Sequence, residues 1–183
     1  MSMRKYVGPT PLTNKAVAYA IEKHAGQVRR GSRLPYIVHP IAVLAIVRKF
    51  KVSKYSDELG AAAVLHDVVE DCGVSYEELV VEFGKMVADI VMELTNDPEE
   101  IRRLGKREYL DRKLAKLSSY ALVIKLADML ANMTEGPLPK SIARMVHHCK
   151  VLLGGSRDHL SETQRSLIAE VLWNAKTLYG VVE

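Results

Sequence analysis

Residues 59–65, Leu-Gly-Ala-Ala-Ala-Val-Leu, form a small, wholly apolar run that leads straight into His66-Asp67-Val68-Val69-Glu70-Asp71. A helix apolar on every side is predicted to be buried, and leaving four ionisable groups unpaired at its end would cost on the order of several kcal/mol per charge. The chain must therefore fold so that these groups share one polar pole at the rim of a helical core. The expected helix starts at about Ser56, where Asp57 and Glu58 suit the positive end of the dipole, and continues to about Asp71. At 3.6 residues per turn, Glu70 lies one turn beyond His66 and Asp71 one turn beyond Asp67, so one site can use all four.

Apolar spacing predicts helices through most of the remaining chain. After a polar lead over residues 1–12, which carries Pro9 and Pro11, the positions Val17, Ala20, Ile21, His24 and Val28 mark one face of a first helix that closes at Gly31. Arg30 to Pro35 reads as a loop, and Pro40, with no N–H to leave unpaired, suits the first position of a second helix reaching about Phe50. Ser75 with Glu78 forms a capping box for a short helix ending at Gly84, and Met86, Val87, Ile90, Val91 and Leu94 describe the next. The charged segment 99–117 bears the stripe Leu104, Leu110, Leu114 and Leu117. A more apolar helix spans Tyr120 to Met133, and residues 140–153 and 161–179 close the chain on either side of Gly154-Gly155. The two β-like runs, Tyr36 to Val38 and Ala121 to Ile124, both sit in helical contexts. The predicted class is all-α, one domain of about ten helices.

At 183 residues the chain is long enough to bury one core without disulfides. Its 26 Lys and Arg against 22 Asp and Glu leave a net charge of +4, too little for a protein that coats nucleic acid. Cys72 and Cys149 have no metal or redox spacing, which favours the reducing cytoplasm, and no run approaches the roughly 20 apolar residues of a membrane span. A monomer or homodimer is expected.

Two further polar residues stand in apolar surroundings: His39 beside Pro40, and Asp128 within Leu126-Ala127-Asp128-Met129-Leu130. Imidazole and carboxylate are ligands for divalent transition metals, so His39, His66, Asp67 and Asp128 form a candidate set. Each has a plain alternative: His39 as a helix cap, Asp128 paired with Lys125, His66 and Asp67 as a hydrogen-bonded core pair. The four together favour a metal site. His24 reads as structural, and His147, His148 and His159 have no acidic partner at ligand spacing, so those four are placed outside it.

Gln27-Val28-Arg29-Arg30, Pro35-Tyr36-Ile37-Val38-His39-Pro40, the His66 to Asp71 run and Lys125-Leu126-Ala127-Asp128-Met129-Leu130-Ala131-Asn132-Met133 resemble, in order and spacing, the hydrolase domain of RelA/SpoT proteins. The likeness covers roughly residues 14 to 150, and with no synthetase or regulatory region the chain is similar to the stand-alone small alarmone hydrolases. The resemblance implies an HD-domain helical fold and one divalent metal, usually Mn²⁺, on His39, His66, Asp67 and Asp128. The implied reaction is removal of pyrophosphate from the ribose 3′ position of (p)ppGpp or (p)ppApp. It further implies that Glu70 and Asp71 orient the attacking water and move its proton. Arg29, Arg30 and Asn132 are implied to contact the nucleotide, as are Lys106 and Arg144 once gaps are placed.

This chain departs from the family at the pocket border. The Arg30 to Pro35 loop is one residue longer, and the segment after Asn132 is shorter than in metazoan members. Lys140 and His148 replace aromatic residues that flank the family's helical Arg. Whether guanine or adenine is preferred is therefore open. Two other readings stand beside the first: another HD activity, such as 2′-dephosphorylation of NADPH or nucleotide phosphodiester cleavage, and a nucleotide-binding module without turnover. The intact Glu70 and Asp71 count against the last.

Overall fold

The computed structural model describes residues 11–29 and 32–181. Among them lie eleven helices: α1 (Pro11–Lys23), α2 (Val38–Phe50), α3 (Ser56–Leu65), α4 (Val68–Cys72), α5 (Tyr76–Phe83), α6 (Lys85–Leu94), α7 (Pro98–Leu104), α8 (Lys106–Lys116), α9 (Ser119–Thr134), α10 (Pro139–Leu153) and α11 (Glu162–Tyr179). The described residues contain no strand, only an isolated antiparallel bridge between Val28 and Pro35 that closes the loop before α2. The chain is all-α, as its periodicity predicts, with one helix more than expected.

α3 is the axis of the core. Leu59 to Leu65 are all buried, and α1, α2, α6 and α9 pack around them. α1 approaches so closely that a Cβ on Gly60 would lie 2.5 Å from Thr13 Oγ1 and 2.7 Å from Arg48 Nη2. The start of α1 is fastened there by Asp57, whose carboxylate accepts from the Thr13 amide and hydroxyl, both at 2.8 Å, and from the Leu12 amide at 3.3 Å. These bonds satisfy amides that a helix N-terminus leaves without intrahelical partners. On the other side α9, apolar from Ala121 to Ile124, packs against α2 and α11.

Several expected boundaries are corrected. α1 already includes Pro11 and Leu12, assigned above to the polar lead, while residues 1–10 lie outside the described residues. It ends at Lys23, so Ile21 and Val28 are exposed, and its buried face runs through Thr13, Ala16 and Ala20. α2 begins two residues before Pro40, which brings His39 into its first turn. The 99–117 segment is split by Gly105, whose positive φ of 79° ends α7 and turns the chain into α8. Ser75 caps α5 by accepting from the Glu78 amide at 3.1 Å, but the Glu78 side chain does not return to close the box. It binds the Tyr19 hydroxyl at 2.5 Å and Lys23 at 2.9 Å instead.

The correction that matters most for the site is at His66. The single helix expected to reach Asp71 ends at Leu65 and restarts at Val68. His66 Nδ1 donates to the Ala63 carbonyl at 2.9 Å, the group that a continuing helix would offer to the amide of Asp67. Asp67, distorted within the right-handed region (φ −107°, ψ −4°), sits at the start of α4. The break turns His66 and Asp67 toward α2 and α9.

Candidate metal and nucleotide site

Three parts of the core converge on one buried pole: the first turn of α2 with His39, the α3–α4 break with His66 and Asp67, and the middle of α9 with Asp128. His39 is 1 % exposed, His66 3 % and Asp128 6 %. His39, His66 and Asp128 each present a ligand atom within 4.8 Å of the others. Asp67 Oδ2 completes the set at 3.0 Å from His66 Nε2 and 4.0 Å from His39 Nε2.

Each ligand candidate is oriented by a partner on its far side. The Glu135 carboxylate lies 3.1 Å from His39 Nδ1, so that nitrogen carries the proton and Nε2 faces Asp128 Oδ1 at 3.1 Å. The Ala63 carbonyl fixes His66 in the same tautomer, and the Tyr36 hydroxyl donates to Asp67 Oδ2 at 2.5 Å. Lys125 binds Asp128 Oδ2 at 2.8 Å and Asn132 Nδ2 donates to Oδ1 at 2.5 Å. The ion pair proposed as the plain alternative for Asp128 therefore exists, and it leaves Oδ1 turned toward the two imidazoles.

The electrostatics follow from burial and these contacts. Burial pulls the His66 imidazole down, but the Asp67 carboxylate outweighs it and pushes the group up to about 9. Burial opposes ionisation of Asp67 and Asp128, yet His66 holds the first, and Lys125 the second, well below the usual carboxylate range. Both carboxylates are thus ionised. His66 Nε2, buried and 3.0 Å from Asp67 Oδ2, nevertheless makes no hydrogen bond. An imidazole raised in this way carries a second proton on Nε2 in the metal-free protein, and a cation lying between that nitrogen and the Asp67 carboxylate would take the proton's place. Two imidazole nitrogens and two carboxylates suit a divalent ion, so the residues present fit the expected metal.

The remaining expected residues divide into groups. Glu70 and Asp71 are exposed on α4 at the edge of this pole. Glu70 is held by Asn96, whose amide and side-chain nitrogens donate to it at 2.6 and 3.2 Å. Asn132, Lys106 and Arg144 line a cavity of about 280 Å³ that opens beside Asp128 and is walled by Leu110, Met129 and Met145. Burial lowers the pKa of Lys106, and the neighbouring charges of Arg144 and Lys125 lower it further. The cavity thus carries positive charge in want of an anion. Arg29 spans Glu135 at 2.5 Å and Asn132 at 2.8 Å, whereas Arg30 lies outside the described residues.

Sequence reasoning missed Glu135, the orienting role of Tyr36, and Asp111. The expectation that His147 and His148 lack an acidic partner is corrected. Asp111, a full helix away in the chain, accepts from both, at 2.8 Å from His147 Nε2 and 2.7 Å from His148 Nδ1. Nothing in local spacing announces that pairing, because α8 and α10 meet only in the folded protein.

Residues 16–148 match the family model described as HD domain. Guanosine-3′,5′-bis(diphosphate) 3′-pyrophosphohydrolase of Vibrio cholerae is 35 % identical over 126 residues, 62 % of this chain but only 16 % of that protein. The chain thus spans about a sixth of the length of such bacterial relatives. Guanosine-3′,5′-bis(diphosphate) 3′-pyrophosphohydrolase MESH1 of Danio rerio is 35 % identical over 69 % of each chain. A solved structure described as a metazoan ortholog of SpoT that hydrolyses ppGpp superposes with a TM-score of 0.72 at 26 % identity, over 91 % of this chain and 96 % of that one. The matched span includes the four ligand candidates and both acidic residues of α4, and the chain belongs to the HD-domain family, in the group that holds the metazoan SpoT orthologues.

Proposed function

We propose that this protein is a metal-dependent 3′-pyrophosphohydrolase of hyperphosphorylated purine nucleotides, acting on (p)ppGpp or (p)ppApp as one catalytic domain in the cytoplasm. The observation that carries the reading is the meeting of His39, His66, Asp67 and Asp128 around the unpartnered Nε2 of His66. The names borne by the relatives supply the substrate class, and a cytoplasmic setting suits the free thiols Cys72 and Cys149.

The four residues would hold Mn²⁺, which when bound lowers the pKa of water and polarises a phosphoryl oxygen. The rest is work for the chain. Lys125 and Asn132 keep Asp128 ionised and aimed, and Tyr36 does the same for Asp67. The water oxygen bonds to the phosphorus attached to O3′, the P–O3′ bond breaks, and pyrophosphate leaves while the nucleotide retains a 3′ hydroxyl. Glu70, fixed by Asn96, and Asp71 accept the proton that the water gives up, and a proton must reach O3′ as its bond breaks. Lys106 and Arg144 neutralise the departing charge, and Asn132 stands between the metal pole and the nucleotide cavity.

The test is product analysis with Mn²⁺ on ppGpp, ppApp and NADPH, with a His66→Ala control. Pyrophosphate released by the native chain and not by the variant supports the reading and ranks the bases. Orthophosphate from NADPH alone, or no product from any of the three, overturns it.

A further inference from the structure

The cavity beside the metal pole is lined by a further polar group that the proposed reaction does not use. His148, on α10, lines it together with Leu110 and Met145. Its ring is 1 % exposed, its Nδ1 is engaged by Asp111, and its Nε2 is buried with no partner. The proton positions along the chain of contacts follow from chemistry alone. A guanidinium has only donors, so Arg107 Nη2, 2.8 Å from His147 Nδ1, donates to it. His147 must then carry its proton on Nε2, which donates to Asp111 Oδ2. Asp111, held ionised because its bonds to both histidines outweigh the opposing effect of burial, only accepts, so His148 carries its proton on Nδ1. Burial keeps that imidazole neutral. The result is a four-residue relay ending in an oriented lone pair.

We infer that His148 Nε2 is a specificity-determining hydrogen-bond acceptor that reads an N–H donor on the edge of the nucleotide base, with Asp111 as its positioning residue. The chemistry of the lining selects the base over the phosphates. Phosphates belong with the metal pole and with Lys106, Lys125 and Arg144, and a fully ionised phosphate has no proton to give an acceptor, whereas Leu110, Met129 and Met145 offer a flat ring an apolar surface in the same cavity and the base edge carries N–H donors. A buried acceptor left unpaired penalises any ligand that does not satisfy it. The donor would be the 6-amino group of adenine or the 1-imino and 2-amino edge of guanine. A purine ring without substituents has none. The inference rests on the nucleotide reading of this cavity, and the two can fail separately.

Its test is equilibrium binding, independent of turnover. Dissociation constants of GDP, ADP and the unsubstituted purine ribonucleoside 5′-diphosphate are measured by calorimetry on the native chain, His148→Phe, His148→Gln and Asp111→Asn. The native chain should bind GDP or ADP about tenfold tighter than the donor-free nucleotide; which of the two gains identifies the base. His148→Phe should abolish that ratio, and His148→Gln, which retains a carbonyl acceptor, should restore part of it. Asp111→Asn should reduce the ratio while His148 remains in place, an effect that a merely structural histidine would not produce. Equal binding of all three nucleotides to the native chain, or a ratio unchanged in His148→Phe, overturns the inference. Pyrophosphate release from ppGpp or ppApp, followed in parallel, reports on the proposed reaction alone, and a defect confined to KM with kcat preserved is expected in His148→Gln.

Discussion

The two walls of the site are built from opposite kinds of chain. On one side α2, α3 and α9 are largely apolar, and the ligand candidates emerge from the start of α2, the end of α3 and the middle of α9 as isolated polar residues. On the other, α8 is charged along its length, and only Tyr109, Leu110 and Leu114 are buried. The first wall is rigid because dense packing leaves its side chains one arrangement each. The second is held by polar contacts between helices, such as Asp111 with His147 and His148. Under the proposed reaction, precision is thus concentrated where phosphorus would be attacked, and adaptability where the nucleotide would be recognised.

This division ranks substitutions. The largest effect should come from the packed wall: His66→Ala should bring pyrophosphate release to the detection limit and abolish tight Mn²⁺ binding in calorimetry, with the helical circular-dichroism signal preserved. Next comes Glu70→Gln, which keeps the shape but not the basicity, and should lower kcat about 10²- to 10⁴-fold with Mn²⁺ affinity unchanged. Glu135→Ala frees His39 Nδ1 and should weaken Mn²⁺ binding about 10- to 100-fold, the usual cost of removing a carboxylate that orients a ligating histidine. The smallest effects belong to the charged wall. Lys106→Ala or Arg144→Ala should raise KM about tenfold, as for one charge-assisted contact, with little change in kcat and a loss that shrinks as salt screens the site. If Lys106→Ala were to damage kcat more than Glu70→Gln, the contrast between the walls would be wrong.

The same contrast explains what could be read before folding. His39, His66, Asp67 and Asp128 were legible because each is a costly residue in an apolar setting, and the break from pattern is itself the signal. The helices from α9 to α11 were legible from periodicity and from stops such as Gly154-Gly155. The interruption at His66 was not, because a side-chain bond to the Ala63 carbonyl ends the helix there and no glycine or proline announces it. Glu135 and Asp111 were hidden for a different reason. An acidic residue among polar neighbours is ordinary surface until another helix brings a histidine against it.

The ligand candidates also come from remote parts of the chain, with His39 and Asp128 separated by 89 positions. An ion shared by them is in effect a removable cross-link. It closes long loops that an unfolded chain would otherwise leave free, and because it binds only the folded form, it adds about 2.7 kcal/mol of stability at a hundred times its dissociation constant. A cell short of the metal would then hold a protein that is idle and also opens more often to proteases, so that metal supply sets how long each copy survives.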